Sequence, residues 1–304
     1  MTRLISPAVA VAALLMAVSP ATAQDTPPAP QQAMPETTLS DVVVEGMLVE
    51  RTRRFVDEIS RAPGRRPLAR WNGPLCVGVA NMRADAAQVL IDRVAVVGNV
   101  LGVRSGEPGC RPNVMVVAAH TADADALVLD ATRNINAFRP STGGTDLGGA
   151  ALQRFRDSDA PVRWWHVALP VVNETGEVAI ALWPDGAPQV NISRSSRIGS
   201  SIRHDLARVV IVIDVDKAGA ASFGALTDYV ALLALAQIDP TAEVSEADTI
   251  MNLFSTSSTA PDRLTEWDAN FLVSLYASRP DVANGWHQET ELARRMARSL
   301  RSGG

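Results

Sequence analysis

Histidines and carboxylates are the residues of this 304-residue chain that could carry acid–base or metal chemistry. The sequence has four histidines: His120, His166, His204 and His287. No two of them lie three or four positions apart, so no helix can present two histidines to one metal ion. The spacing therefore argues against a helical zinc site.

The turn in "VVIVIDVDKAG" carries two carboxylates, Asp214 and Asp216, after an apolar run that predicts a buried strand. Carboxylates at the carboxyl end of a strand can hold Mg²⁺, and in phosphotransfer sites the first one is a nucleophile. Such motifs continue with Thr or Val two positions after the second Asp, where this chain has Ala218. An ordinary acidic turn is the simpler interpretation.

One alternative function combines this turn with two of the histidines. His120 ends a predicted strand in "VVAAHTADADA", and His204 precedes the strand that leads to the acidic turn. A hydrolase, with or without a metal ion, could be built from His120, His204 and the Asp214/Asp216 turn. Catalytic groups must lie within hydrogen-bond reach, so a separation of more than about 10 Å excludes this site.

Two tryptophans and a histidine form a second candidate site in "VRWWHVALPVV". Alternation along a strand places Arg163 and Trp165 on one face and Trp164 and His166 on the other. Such a strand can offer a ligand-stacking surface, and a packed amphipathic strand is the alternative.

The segment "SRSSRIGSSIRHD", residues 193–205, carries three arginines beside His204. As a loop it could bind an anion such as phosphate, and a solvated loop without a ligand is the alternative. It does not contain the G-x-S-x-G elbow of a serine hydrolase.

The first 23 residues predict export. "MTRLISPAVAVAALLMAVSPATA" has one positive charge at Arg3, an apolar stretch, and the small residues Ala21 and Ala23 two positions apart. This is the order of a secretory signal peptide, and its apolar part is shorter than the roughly 20 residues that span a bilayer. We expect cleavage after Ala23, a disordered Pro/Gln-rich linker over 24–40, and a periplasmic or secreted location in a bacterium.

Composition limits the partners of the exported chain. Hydrophobic residues make up 47% of the sequence, so a sizeable core is expected. The net charge of -5 favours neither a nucleic acid nor an anionic membrane surface. No later segment approaches spanning length, so we expect no membrane span, no cofactor, and an unknown ligand or envelope protein as partner.

The two cysteines, Cys76 and Cys110, are predicted to form a disulfide, because an even pair in an oxidising compartment most simply pairs. Cys76 lies in the strand-like "LCVGVAN", and Cys110 immediately precedes the strand-like "NVMVVAA". Neighbouring strands would bring the two sulfurs into range.

Apolar periodicity predicts a βαβα beginning, a middle with antiparallel pairing and a helical end. The predicted strands are 75–81, 113–119, 162–172, 188–195 and 207–216, and the main predicted helices are 84–101, 122–134, 222–237, 265–277 and 287–302. These elements argue for a single mixed α/β or α+β domain over 41–304, with a helical C-terminal part from about 222.

Two further predictions concern the segment that begins at 41 and the helix over 84–101. "DVVVEG" at 41–46 predicts a short edge strand, followed by a helix with Leu48, Phe55 and Ile59 on one face. In the helix over 84–101, we predict a buried face that contains Val89, Val96, Val97 and Leu101.

The C-terminal half resembles a known family. "GALTDYVALLALAQID", then "TIMNLF", then "LTEWDANFLVSLYA" are similar to the closing part of an uncharacterised family of secreted bacterial proteins related to zincin metallopeptidases. In that family a central helix precedes an S-I-F-N-like stretch and a helix of the form L-T-x-x-D-x-x-x-L-x-x-L-Y. The matching positions include Ile250, Asn252, Leu264, Thr265, Asp268, Leu272, Leu275 and Tyr276. "LARWNGPLCVGVAN" also resembles the entry strand of the family.

The resemblance implies a zincin-like fold with a mixed sheet, an antiparallel edge strand and a central helix beneath a cleft. It places Asp228 and Tyr229 where the family has paired acidic residues. The central helix lacks the two histidines and the glutamate that bind Zn²⁺ and activate water, and Asp228 is its only carboxylate. We therefore expect a non-catalytic protein with a degenerate zincin-like fold and a binding or envelope-associated role.

Overall fold

The computed structural model describes residues 39–60, 62, 66–133, 147–179, 199–244, 246–256 and 259–302. The described residues from Ser40 onward belong to one compact unit. The described elements are, in chain order, α1 (Leu39–Ile59), β1 (Val77–Ala80), α2 (Ala84–Val100), β2 (Val114–Ala119), α3 (Thr121–Arg133), α4 (Gly149–Asp157), β3 (Val162–Val172), β4 (Ile202–Asp214), α5 (Val215–Ala218), α6 (Phe223–Leu235), a 3-10 helix (Ile250–Phe254), α7 (Glu266–Ala277) and α8 (Gly285–Ser302).

The four described strands form one mixed sheet in the order β1-β2-β4-β3. β1, β2 and β4 run parallel, and β3 pairs antiparallel with β4 at the edge. β2 and β4 contain runs of Val, Ile and Ala, as expected of strands that are covered on both faces. Helices and a mixed sheet confirm the predicted α+β class, and the antiparallel edge strand is present. The predicted strand 188–195 lies outside the described residues.

Alternation along β3 and β4 divides the interior into two cores, one on each side of the sheet. Trp164 and Ile211 face the larger core, to which α1, α2, α6, α7 and α8 contribute. Trp165 and Val212 face the smaller core, which is formed with α3 and α4. The predicted assignment of Trp164 and Trp165 to opposite faces is therefore confirmed.

Helix α6 lies in the middle of the larger core. Ser222 begins it as an N-cap, its hydroxyl accepting the amide N–H of Ala225 at 3.1 Å. Every residue from Ala225 to Leu235 is buried, so the helix has no solvent-facing side over that length. This explains why its sequence is apolar all round rather than amphipathic.

Two of the predictions made for the α1 and α2 regions are wrong. Residues 41–46 are part of α1 and not an edge strand. Phe55, Val56 and Ile59 of the same helix are held in the core, and such packing overrides local strand propensity. α1 begins at Leu39, inside the last two residues of the predicted linker.

The predicted buried face of α2 is also wrong in part. Leu90, Val94 and Gly98 face the core, whereas Val89 and Val96 are about half exposed. α2 is rich in apolar residues on both faces, so periodicity alone does not select the buried one. Gly98 also lies on the buried face, where a Cβ would be in ordinary contact with Leu235 of α6.

β4 begins at Ile202, five residues before its predicted start. His204 and Asp205, predicted to lie in a loop, are therefore strand residues paired opposite Pro170 and Leu169 of β3. Residues 193–198 of that predicted loop lie outside the described part of the chain.

The predicted disulfide between Cys76 and Cys110 is present, with Cα atoms 6.1 Å apart. As predicted, the strands that follow the two cysteines are neighbours, with Val77 of β1 paired to Val114 of β2. Gly106 has to be a glycine here, since a Cβ would lie 2.8 Å from the Cys110 sulfur. Within the described residues, none of the helices has the length and apolar character needed to cross a bilayer.

Candidate functional site

The carboxyl ends of the parallel strands bring several polar residues to one edge of the sheet. Asn81 follows β1, His120 follows β2, and Asp214 ends β4. In open sheets with parallel strands this edge is where ligands usually bind. The sheet order predicts proximity of the three strand ends, since β2 lies between β1 and β4.

His120 and Asp216 form an exposed hydrogen-bonded pair at this edge. The His120 Nδ1 lies 2.9 Å from the Asp216 Oδ1, and Asp216 also accepts the backbone N–H of Thr121 at 3.0 Å. The hydrogen bond to Asp216 raises the pKa of His120, and the bond from the Thr121 amide lowers the pKa of Asp216. The pair can therefore exchange a proton with a ligand through the remaining ring nitrogen, Nε2.

Asp214 has a structural role beside this pair. Its side chain is the N-cap of α5, accepting the amides of Asp216 and Lys217, and it also accepts the Thr121 hydroxyl at 2.8 Å. Burial alone would raise the pKa of Asp214, but hydrogen bonds from Thr121 and Lys217 outweigh it and lower the pKa. The Thr121 hydroxyl thus links the start of α3 to the acidic turn through Asp214.

A cavity of about 570 Å³ opens next to His120, and we call it the edge cavity. Small apolar residues form its floor, and Asn81, His120, Asp123 and Asp130 are among its polar lining residues. Asn81 has a φ of 60°, and it is the one non-glycine residue with positive φ in the described part of the chain. Asn tolerates this conformation better than most residues, and it turns the chain at the cavity rim.

His204 does not belong to this site. It lies on β4 ten residues before Asp214, which is about 30 Å along an extended strand. The predicted hydrolase site from His120, His204 and the Asp214/Asp216 turn is therefore wrong as a three-part site. The structure brings together only His120 and the acidic turn.

The surroundings of His204 favour its neutral form. Burial, with a contribution from Arg66, lowers its pKa to about 4. Its Nδ1 is buried and has no hydrogen-bond partner among the residues that the structure describes.

The aromatic strand is a packed strand and not an open ligand surface. Trp164, Trp165 and His166 are all buried. Trp165 contacts the ring of Phe155 at 5.9 Å between centroids, and Trp164 lies edge-on to Tyr229 at 6.1 Å. Trp164 also borders a second cavity of about 560 Å³ that lies beside α4.

His166, together with Trp71 and Tyr276, instead satisfies the buried C-terminal end of α6. The last four carbonyls of a helix have no partner within the helix, and burial makes an unpaired carbonyl costly. The Leu232 carbonyl accepts the backbone N–H of Ala236. Side chains supply the other donors: His166 Nε2 to Leu233 O at 2.7 Å, Trp71 Nε1 to Ala234 O at 2.7 Å, Tyr276 OH to Leu235 O at 2.8 Å, and beyond the helix Trp164 Nε1 to Ile238 O at 3.1 Å.

Asp228 is paired with a cation and does not face an open cleft. Its carboxylate binds Arg93 of α2 at two points, including Arg93 Nη2 at 3.1 Å, and it accepts the backbone N–H of Leu264 at 2.7 Å. Asp228 and Tyr229 are each 4% exposed. Neither residue can line an open cleft above α6, so their predicted role as cleft residues is not met by the geometry.

The residues that carry the family resemblance join the C-terminal elements to α6. Thr265 and Asp268 form a capping box at the start of α7. The buried Asp268 carboxylate also accepts the Thr249 hydroxyl at 2.5 Å and the Ile250 amide at 2.8 Å, which ties the "TIMNLF" segment to α7. Each of these matched positions thus has a structural explanation.

Comparison with known proteins found no matching family model, no matching curated protein and no matching solved structure. The zincin relation therefore stays a prediction. Among the described residues, no group of three or more His, Cys, Asp or Glu side chains is arranged to hold a metal ion.

Three residues in these structural roles were missed by the sequence reasoning. Arg93 is 135 positions from Asp228, Trp71 is 163 positions from Ala234, and Tyr276 is 41 positions from Leu235. A sequence signal existed for the charge pair only: one buried carboxylate in an apolar helix needs a cation or donors elsewhere. No pattern in the sequence distinguishes a capping tryptophan from one that only packs.

Proposed function

We propose that this chain is a non-catalytic protein of the bacterial extracytoplasmic space, with a degenerate zincin-like fold and a binding role. The observation that carries the proposal is the salt bridge between Asp228 and Arg93. It commits the only carboxylate of α6 to packing, in the helix to which the family resemblance would assign the metal-binding and water-activating residues.

The fold and the sequence support this proposal independently. The antiparallel edge strand beside β4 and the buried helix after it are the arrangement that the family resemblance implies. The signal-like residues 1–23 and the Cys76–Cys110 disulfide agree with an oxidising compartment. The edge cavity is the place where the geometry best supports a small ligand, because it combines a concave apolar floor with His120.

A second candidate function rests on the His120–Asp216 pair. A histidine held by a carboxylate is a general acid–base arrangement, and here it borders a cavity. In a hydrolase at this edge, His120 would act as the base that activates a water molecule.

One experiment separates the two candidates. The purified chain is assayed with casein, p-nitrophenyl acetate and p-nitrophenyl phosphate, beside the variants His120→Ala and His287→Ala, both at exposed histidines. We expect no turnover that depends on His120. An activity that His120→Ala abolishes and His287→Ala retains would overturn the non-catalytic proposal in favour of the hydrolase.

A further inference from the structure

The outer face of α8 carries a row of positive side chains beside an exposed indole. Its exposed residues are Trp286, His287, Arg294, Arg298, Ser299, Arg301 and Ser302. At 100° per residue, Trp286, His287 and the three arginines fall within roughly a third of the helix circumference. We call these five residues the α8 stripe.

Arg294 and Arg298 carry the charge of the stripe, and the nearby carboxylate Glu291 lines the same shallow depression as they do. The helix has two carboxylates, Glu289 and Glu291, and both are partly buried. Glu291 binds Arg295 at 2.8 Å, at the flank of the stripe. Among the ion pairs of the described residues, none involves Arg294 or Arg298.

The opposite face of α8 is already used inside the protein. Leu292, Met296 and Ala297 are buried, and the helix packs against α7. Thr52 of α1 donates its hydroxyl to the Ala293 carbonyl at 2.9 Å. The helix is thus fixed by its apolar face, and the stripe is displayed from a rigid support.

The shape of this surface limits what it can bind. A shallow depression of about 400 Å³ runs along the helix from Trp286 to Arg298, and every residue that lines it belongs to α8. In the described part of the chain no second element forms an opposite wall. A single convex helix suits an extended flat surface better than an enclosed small anion.

We propose that the α8 stripe docks on the surface of an anionic phospholipid bilayer. Arg294 and Arg298 contact lipid phosphates, since guanidinium groups bind phosphate oxygens in a bidentate manner. Trp286 lies about 12 Å before Arg294 along the helix and sits at the headgroup level, where tryptophan is enriched. The net charge of -5 is a sum over the whole chain and therefore does not reveal this local positive surface.

Co-sedimentation with vesicles tests the proposal, with phosphatidylcholine alone compared with phosphatidylcholine containing phosphatidylglycerol. We expect binding to the anionic vesicles only, and weaker binding at high salt because the arginines are solvent-exposed. Each arginine near an anionic surface contributes about fivefold to affinity, so Arg294→Gln with Arg298→Gln weakens binding about 25-fold.

The matched control is Arg104→Gln with Arg111→Gln, which removes the same charge from two exposed arginines elsewhere in the chain. The affinity of this control for anionic vesicles should stay within about twofold of the wild type, because its two arginines are not part of the stripe. Equal weakening by both double variants, or equal binding to neutral vesicles, would overturn the proposal.

Trp286→Phe adds a second readout. Brominated lipids quench nearby tryptophans, and the quenching of the wild type by anionic brominated vesicles should be lost in this variant. Binding of soluble polyglutamate without any vesicle binding would overturn the membrane proposal in favour of an acidic protein partner.

Discussion

The guanidinium of Arg93 and the carboxylate of Asp228 form a two-point salt bridge that joins α2 to α6. The Asp228 side chain is 6% exposed and that of Arg93 is 37% exposed. The pair therefore sits at the boundary of the core, with the acid inside and the base reaching in from the surface. This relationship makes α6 a packing element in our account.

A double-mutant cycle on this pair should show strong coupling. Arg93→Met leaves a buried carboxylate without its cation and should lower the free energy of unfolding by about 3 kcal/mol. Asp228→Asn keeps an acceptor for the Leu264 amide and should cost about 1 kcal/mol. The double variant should lose about 1–3 kcal/mol less unfolding free energy than the sum of the two single losses. Urea denaturation of the three variants and the wild type measures this difference.

The exposed pair Arg83–Asp85, with side chains 83% and 71% exposed, serves as the control. Its coupling should stay below about 0.5 kcal/mol, because exposed ion pairs are weak. Additive costs at Arg93 and Asp228 would show that the salt bridge does not hold α6.

Tyr276→Phe should destabilise the protein by about 1–2 kcal/mol, because it leaves the buried Leu235 carbonyl without its side-chain donor. The matched control is Tyr229→Phe, which removes a hydroxyl that forms no hydrogen bond among the described residues. Thermal or urea unfolding measures both. A larger loss for Tyr229→Phe than for Tyr276→Phe would contradict the capping role.

Stability should fall in acid because of two histidines. Burial lowers the pKa of both His166 and His204 to about 4, below the ordinary value of 6.5. The unfolded chain therefore binds protons first as pH falls, so their contribution is complete above pH 6.5 and is lost between pH 6.5 and 4. Each histidine accounts for about 3 kcal/mol at most over that interval.

His166→Gln isolates one of these contributions. The glutamine amide can still donate to the Leu233 carbonyl but does not titrate. The loss of unfolding free energy between pH 6.5 and 4 should shrink by about half, as expected when one of two equal groups is removed. An unchanged pH dependence would mean that His166 is not held neutral by the fold.

Gly106→Ala should cost about 1–3 kcal/mol in the oxidised protein, because the new Cβ would lie 2.8 Å from the Cys110 sulfur. Reduction frees that sulfur to rotate away, so the cost should be smaller under a reducing agent. Gly73→Ala is the control, since a Cβ there meets nothing within 4 Å. Equal costs for the two variants would contradict the close approach.

Elements with a strong local signal could be predicted from the sequence. β3 occupies Val162–Val172 as predicted, because a segment rich in Val and Trp is bounded by Pro161 and a turn. The Thr265–Asp268 capping box fixes the start of α7 by bonds that span three residues. The disulfide followed from cysteine count and strand position alone.

Features that depend on long-range packing could not be predicted. Only the position of α6 decides that Leu90 rather than Val89 faces the core, because either face of α2 is apolar. Trp164 and His166 look like ligand residues until the carbonyls of Ile238, just after α6, and Leu233, within it, are placed beside them. His204 was assigned to a loop because polar residues surround it, although they pair with β3 in a strand.

Zinc content tests the central claim most directly. The claim is that α6 packs the core and performs no metal chemistry, because its only carboxylate is bound to Arg93. Elemental analysis of the full chain, purified without chelators, should find zinc far below one atom per chain, and Asp228→Asn should not change the content. One zinc per chain that Asp228→Asn removes would contradict the account.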